Sequence, residues 1–223
     1  MRATVLWTGG KDSALALHKA RMSGYEIMNL LTFVPDEADF LAHPLRFMKY
    51  QAEALGVPHY EAVIKEPLEA GYEEAIRVFK NRHKIDLLIT GDIAEVDGLP
   101  NWMTERCRDS GVEILTPLWG ADRCEAFTEL LQFGFKAIIS CVKRGSLGEE
   151  WLGRELDKKA LDELTAINGR TGLDICGEQG EYHTLVLDGP DFKKTISIGS
   201  YSKHMADLLI YIKPQDIILS IKA

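Results

Sequence analysis

The stretch Ala3-Thr4-Val5-Leu6-Trp7-Thr8-Gly9-Gly10-Lys11-Asp12-Ser13 governs the reading of everything that follows it. Its first five residues are an apolar run rich in strand formers. A hydroxyl, two glycines, a cation, a carboxylate and a second hydroxyl come next, and Ala14 to Met22 then has strong helix propensity. A strand, a tight loop and a helix start together make an arrangement that binds phosphate. Glycines let the backbone approach an anion and aim consecutive N–H groups at it. The open N–H groups and the dipole of a helix start favour negative charge. Lys11 adds a full positive charge, while Thr8 and Ser13 can donate hydroxyl hydrogens. Asp12 is the informative residue. A carboxylate beside phosphate is repulsive unless a cation lies between them, so Asp12 points to Mg²⁺ shared with a polyphosphate. The commoner loop G-x-x-x-x-G-K-[ST] is absent: no glycine precedes Gly10 at the required distance, and Asp12 stands where Ser or Thr would follow the lysine.

Outward from that loop, strands and helices alternate. Glu26 to Phe33 is nearly continuous in apolar residues, as in a strand buried on both faces. A loop through Pro35-Asp36-Glu37 leads to a helix over about 44–55, closed by Gly56. Val57 to Ile64 reads as a weaker strand with Pro58 near its start. Tyr72, Ala75, Ile76 and Phe79 fall at helical spacing, with Glu73, Glu74, Arg77 and Lys80 on a solvated far side. Ile85–Thr90 is a short strand ending in Gly91-Asp92. Asn101–Ser110 is helical, Val112–Thr116 a fifth strand, Arg123–Phe133 a helix stopped by Gly134, and Lys136–Val142 a further strand. Strands separated by helices over the first 140 or so residues predict a parallel α/β sheet. Right-handed crossovers put every strand's C-terminal end on one edge, where ligands of open α/β sheets bind near the switch in strand order. The Thr8–Ser13 loop, Phe33, Gly91-Asp92 and Thr116-Pro117 all sit at such ends.

The remainder has a different rhythm. Glu149–Arg154 is a loop or short turn, and Asp157–Ile167 a helix stopped by Asn168-Gly169. Four strand-like runs follow, Leu185–Leu187, Lys194–Ile198, Met205–Ile212 and Ile217–Ile221, which predicts a small α+β subdomain. The expected division is 1–142 for nucleotide binding and 143–223 for substrate binding. Between that helix and the strands, Gly177-Glu178-Gln179-Gly180-Glu181-Tyr182-His183-Thr184 packs two carboxylates, a phenol, an imidazole and a hydroxyl into eight positions. Those are residue types of acid–base work; a carboxylate pair suits holding ammonium, accepting its proton or completing a metal shell, and an imidazole can shuttle protons near neutral pH.

The 223 residues carry a net charge of −8, which argues against non-specific nucleic-acid binding through bulk electrostatics. No apolar segment has membrane-spanning length and the N-terminus passes straight into a strand, so a cytoplasmic location is expected. Cys107, Cys124, Cys141 and Cys176 are widely spaced with no C-x-x-C pair, the pattern of reduced, mostly buried thiols; a zinc site or iron–sulfur cluster has no support.

Thr8-Gly9-Gly10-Lys11-Asp12-Ser13 resembles the PP-loop of the N-type ATP pyrophosphatases, with Thr8 where Ser is usual. Further pieces narrow the likeness: Thr90-Gly91-Asp92-Ile93, Trp102 to Cys107, Thr116-Pro117-Leu118-Trp119, Leu152-Gly153-Arg154, and Cys176 to Thr184 followed by Asp188-Gly189-Pro190. With these, nearly the whole chain resembles the diphthine–ammonia ligase family. Gln179, where Gly is common, and Asp191 are minor departures.

The resemblance implies an adenine-nucleotide α-hydrolase-like (HUP/PP-loop) sandwich and a ligase that amidates diphthine on the translocation elongation factor, with ammonium as the nitrogen donor. ATP would lie with its phosphates on Gly9–Ser13 and its adenine near Leu31–Phe33. Thr8, Gly9, Gly10, Lys11, Asp12, Ser13, Phe33, Gly91 and Asp92 are the implied nucleotide residues, and Asp12 and Asp92 the Mg²⁺ ligands. The diphthine carboxylate would attack the α-phosphate, release pyrophosphate and form an acyl-adenylate that ammonia converts to amide and AMP. Lys11, Asp12, Glu178, Glu181 and His183 are the implied catalytic set. Trp119, Gly153, Arg154, Gly180 and Tyr182 would shape the substrate pocket, with Trp102 and Glu105 weaker candidates. The rival readings are a PP-loop enzyme adenylating a small molecule or RNA, and a nucleotide-binding regulatory module. Thiolases of the RNA-modifying kind need paired cysteines or a cluster, and mere binding needs neither Asp12 nor the Glu178–His183 cluster. Homo-oligomerisation is left open by the sequence.

Overall fold

The computed structural model describes residues 1–36, 41–95 and 101–222; Glu37 of the expected loop lies outside them. The chain divides into two compact units. The first comprises residues 1–8, the described part of 12–40, and 57–120; the second comprises residues 9–11, 41–56 and 121 onward.

The first unit is built on a parallel sheet. β1 (Arg2–Leu6) has Ala3, Thr4 and Val5 fully buried, as its unbroken apolar run requires of a strand covered on both faces. Helix α1 (Lys11–Met22) begins on the loop lysine itself. β2 (Glu26–Pro35), β3 (His59–Ile64), helix α3 (Leu68–His83; α2 belongs to the second unit), β4 (Leu87–Ile89), helix α4 (Trp102–Cys107) and β5 (Glu113–Leu115) follow. The strand order is β3-β2-β1-β4-β5, every neighbouring pair parallel, so the order reverses between β1 and β4. Leu31, Leu88 and Ile85 pack with Ile76 and Phe79 of α3 and with Met103, Cys107 and Val112 into one core. The far side of α3 is not wholly solvated. Lys80 donates to the Ser110 and Gly111 carbonyls at 2.7 and 2.8 Å, and Glu73 accepts from Arg106 at 2.9 Å.

The second unit carries an antiparallel sheet. Helix α2 (Leu45–Leu55) ends on Gly56 in the left-handed conformation. Helix α5 (Arg123–Gln132) starts on Asp122, whose carboxylate accepts from the amides of Cys124 and Glu125. β6 (Lys136–Lys143), a 3₁₀ turn at Glu149–Trp151, helix α6 (Lys158–Thr171), β7 (Tyr182–Asp188), β8 (Lys194–Ala206) and β9 (Leu209–Ile221) complete it, with sheet order β7-β6-β9-β8.

Three elements differ from the sequence reading. β6 joins this antiparallel sheet, not the parallel one. It is buried along almost its whole length, and such a strand reads alike in either kind of sheet. α6 runs through Asn168-Gly169 and stops at Gly172 (φ 76°), where Asn168 receives the Gly172 amide on its carbonyl and donates its side-chain amide to Leu173 O. The run Met205–Ile212 crosses a hairpin: Ala206 pairs with Leu209 around Asp207-Leu208, a turn without the Asn-Gly or Asp-Gly signal.

Cys107, Cys141 and Cys176 are buried free thiols and Cys124 is a half-buried one; burial pushes the thiols of Cys107 and Cys141 up to about 11. Among the described residues no helix is long and apolar enough to cross a membrane.

Candidate functional site

In the first unit Thr8, Asp12, Ser13, Phe33, Gly91 and Asp92 of the expected nucleotide residues lie toward the C-terminal ends of the strands, beside the reversal of strand order; Gly9, Gly10 and Lys11 belong to the second unit. Thr8 follows β1, and its hydroxyl donates to Ser13 Oγ at 3.2 Å across the loop. Gly91 follows β4 and lies directly on the Asp12–Ser13 peptide. A Cβ at Gly91 would stand 2.6 Å from Asp12 C and 2.7 Å from Ser13 N, so only glycine permits this approach. Gly91 thus lies against the first turn of α1, which carries Asp12, and Asp92 is the next residue. Asp92 Oδ2 accepts from Thr90 Oγ1 at 2.8 Å and from the Asn101 side-chain amide. Such contacts hold a ligating carboxylate in orientation. Among the described residues no three His, Cys, Asp or Glu side chains form a metal cluster. Mg²⁺, however, keeps waters and phosphate oxygens and needs only one or two protein carboxylates, so Asp12 and Asp92 fit it. Phe33, two residues before the end of β2, is half-buried and meets Tyr72 edge-on at 4.9 Å; Tyr72 in turn meets Trp102 at 6.3 Å. Trp119 lies beyond β5 and is exposed, as is Glu105 on α4.

In the second unit, residues 9–11 meet the Gly177–Thr184 constellation. The Lys11 amide donates to Thr184 Oγ1 at 3.0 Å, a contact spanning 173 residues of chain. The Lys11 ammonium is buried, donates to the Cys176 carbonyl and stands 5.6 Å from the centroid of the Tyr182 ring. Val186 N donates to Gly9 O at 3.0 Å. Gln51, fully buried in α2, gives its side-chain amide to both Gly9 O and Val186 O at 2.8 Å. Gly9 has φ 75°, and a Cβ there would meet Gln51 Oε1 at 2.4 Å.

The 174–184 segment is held from within. Glu181 is buried, and its two carboxylate oxygens accept from the amides of Asp174 at 2.9 Å and Gln179 at 3.1 Å. Asp174 accepts from Cys176 N at 2.7 Å and from Arg123 Nε at 2.8 Å. Gly177 and Gly180 take left-handed conformations, and Glu178 is half-buried. Tyr182 is buried with its hydroxyl on Ile175 O. His183 is half-buried, and its Nδ1 lies 3.2 Å from Nε2 of His43. Burial, with the positive charge of Lys11 adding to it, lowers the His183 pKa to about 4. Gly153 and Arg154 lie elsewhere in this unit, bridged to β6 through Ile139. Gly153 sits beneath the Tyr201 ring, and Arg154 pairs with Glu163 while covering the Trp151 ring at 4.2 Å.

Sequence reasoning missed His43, Gln51, Arg123 and Asp174. Gln51 left a signal: a polar residue among Phe47, Met48, Ala52 and Leu55 on the buried face of α2. His43, alone before Pro44, left none.

Two family descriptions match the chain in succession: the diphthamide synthase N-terminal domain over residues 1–114 and the diphthamide synthase C-terminal domain over residues 122–215. The diphthine–ammonia ligase of Mus musculus is 28% identical over 236 residues, covering 93% of this chain and 87% of its own. That of Homo sapiens is 26% identical over 228 residues, covering 90% and 84%. That of Schizosaccharomyces pombe is 28% identical over 241 residues, covering 96% of this chain and 39% of the longer protein. Among solved structures, a predicted subunit of tRNA methyltransferase from Methanocaldococcus jannaschii shares 17% identity over 85% of this chain and 98% of its own, with a TM-score of 0.45, too loose a likeness to carry weight. With its two halves matched in order by the two domains of one family, the chain belongs to the diphthamide synthase family.

Proposed function

We propose that this ligase amidates the carboxylate of diphthine on the translocation elongation factor, using ATP and ammonia and releasing AMP and pyrophosphate. The observation that carries the reading is the contact of Lys11 with Thr184, Cys176 and Tyr182. It sets residues 9–11 of the loop against the Cys176–Thr184 segment within the second unit.

Nucleotide binding is assigned to the N-terminal part of the chain and substrate binding to the C-terminal part. Gly9 and Gly10 bring backbone close to the phosphates, and Thr8, Ser13 and the charge of Lys11 stabilise the charge that develops there. Asp12 and Asp92 would hold Mg²⁺, which when bound offsets phosphate charge. Phe33 flanks the adenine. Attack of the diphthine carboxylate on the α-phosphate forms the P–O bond of an acyl-adenylate and expels pyrophosphate. Ammonia then displaces AMP. Glu178 and His183 face that second step, while Glu181, with both oxygens on loop amides, acts by holding the segment in shape. Gly180 and Tyr182 form the segment's frame; Gly153 and Arg154 in the second unit, and separately Trp119 in the first, are assigned to the acceptor by the family resemblance alone.

The test combines purified protein, Mg-ATP, ammonium and elongation factor carrying diphthine. Mass spectrometry should find the carboxylate converted to amide on the modified histidine, with AMP and pyrophosphate formed in equal amount. An unchanged factor, under conditions where an established ligase converts it, would remove diphthine as the acceptor.

A further inference from the structure

We propose that His43 and His183 act as a pair in the amide-forming step, His183 taking the proton released by nitrogen and His43 orienting His183. The inference rests on the ligase reading above. His43 stands two residues ahead of α2, and His183 is the second residue of β7, 140 positions further along. His43 Nε2 and His183 Nδ1 are 3.2 Å apart, with the rings at 79° and their centroids 5.0 Å apart. The pair adjoins the nucleotide loop. A Cβ placed on Gly10 would stand 3.4 Å from Thr184 Oγ1 and 3.5 Å from His43 Cε1, and Thr184 is the residue after His183.

One hydrogen bond between two imidazoles requires that one nitrogen donate and the other accept. If His183 Nδ1–H donates to His43 Nε2, His183 Nε2 keeps its lone pair and is the basic atom. His43 then does for His183 what the carboxylate does in a hydrolase triad: it fixes ring orientation and tautomer, and its bond strengthens once His183 is charged. Among the described residues, titratable groups at His183 include Lys11 from the loop, His43, and Cys141 across the ladder in β6. Burial and Lys11 keep His183 neutral at neutral pH, so the base form is the one present. In the step itself, the lone pair of NH₃ forms the C–N bond at the acyl carbon. The C–O bond to phosphate breaks, its electron pair leaves on AMP, and one N–H proton passes to His183 Nε2.

The experiment separates the two half-reactions. Adenylation is read by factor-dependent exchange of pyrophosphate into ATP without ammonium, amidation by amide formation with ammonium. The ratio of amidation to exchange should fall by ~100-fold or more in His183→Gln and in His43→Gln, the scale of a general base. The double variant should be no worse than either single one, since the two act as a unit. Imidazole should restore part of the amidation in His183→Ala. A ratio within twofold of the unaltered protein in either single variant, or losses that multiply in the double, would overturn the pair. Absence of both exchange and amide in the unaltered protein would instead overturn the ligase reading, and the pair with it.

Discussion

At the scale of single residues, the segment around the loop is shaped by groups whose partners lie far along the chain. His183 has its pKa lowered from the ordinary 6.5 to about 4 by burial and then by Lys11. Between those values the unfolded chain binds a proton that the folded chain refuses. The contribution is therefore whole above pH 6.5 and is lost as the pH falls toward 4, on the order of 3 kcal/mol. Urea unfolding from pH 7 to 4 should show this slope, and His183→Gln should flatten it by about one proton. Gly9 offers a second residue-scale test. Gly9→Ala would strain a left-handed backbone and push Gln51 off its two carbonyls. A loss of about 2–4 kcal/mol in denaturant melts is expected. Because the Gln51 contribution is already gone in Gln51→Ala, the double variant should cost clearly less than the sum of the singles.

At the scale of elements, most boundaries were readable because their signals are local. Gly56 closes α2, Asp122 caps α5, and the 3.6-residue period of Ile76 and Phe79 marks the inner face of α3. α6 shows the limit of that kind of signal. Asn168-Gly169 has the residues of a stop, yet the helix passes through it because Gly172 supplies the left-handed cap three residues later. Gly169 is exposed, and a Cβ added there would meet no heavy atom within 4 Å, so Gly169→Ala should stabilise by about 0.5–1 kcal/mol. Gly172→Ala, at φ 76°, should destabilise by ~1 kcal/mol. Thermal melts of the two variants should move in opposite directions.

For the whole molecule, ligand binding and stability are one equilibrium. ATP at a hundredfold excess over its Kd should add about 2.7 kcal/mol to folding, a rise in melting temperature of roughly 5–10 °C for a chain of this size. If Asp12 and Asp92 share Mg²⁺ with the phosphates, removing the metal with EDTA should abolish most of that rise. Asp12→Asn and Asp92→Asn should then respond weakly whether or not Mg²⁺ is present. A full rise with ATP in EDTA would mean that the carboxylates do not bind nucleotide through a metal.

The chain by itself determined the glycine loop between β1 and α1, the strand–helix alternation of a parallel sheet, and the placing of Thr8, Gly91-Asp92 and Phe33 at or near strand ends. Those follow from local periodicity, from turn chemistry and from the one-edge rule of right-handed crossovers. Tertiary structure alone decided which sheet β6 joins, because a strand buried on both faces carries no mark of its neighbours. It also decided that Glu181 spends its carboxylate on loop amides, that Gln51 reaches Gly9, and that His43 meets His183. Each is a pairing of groups brought together by fold, and a residue's type at one position does not encode which distant atom its polar group will find.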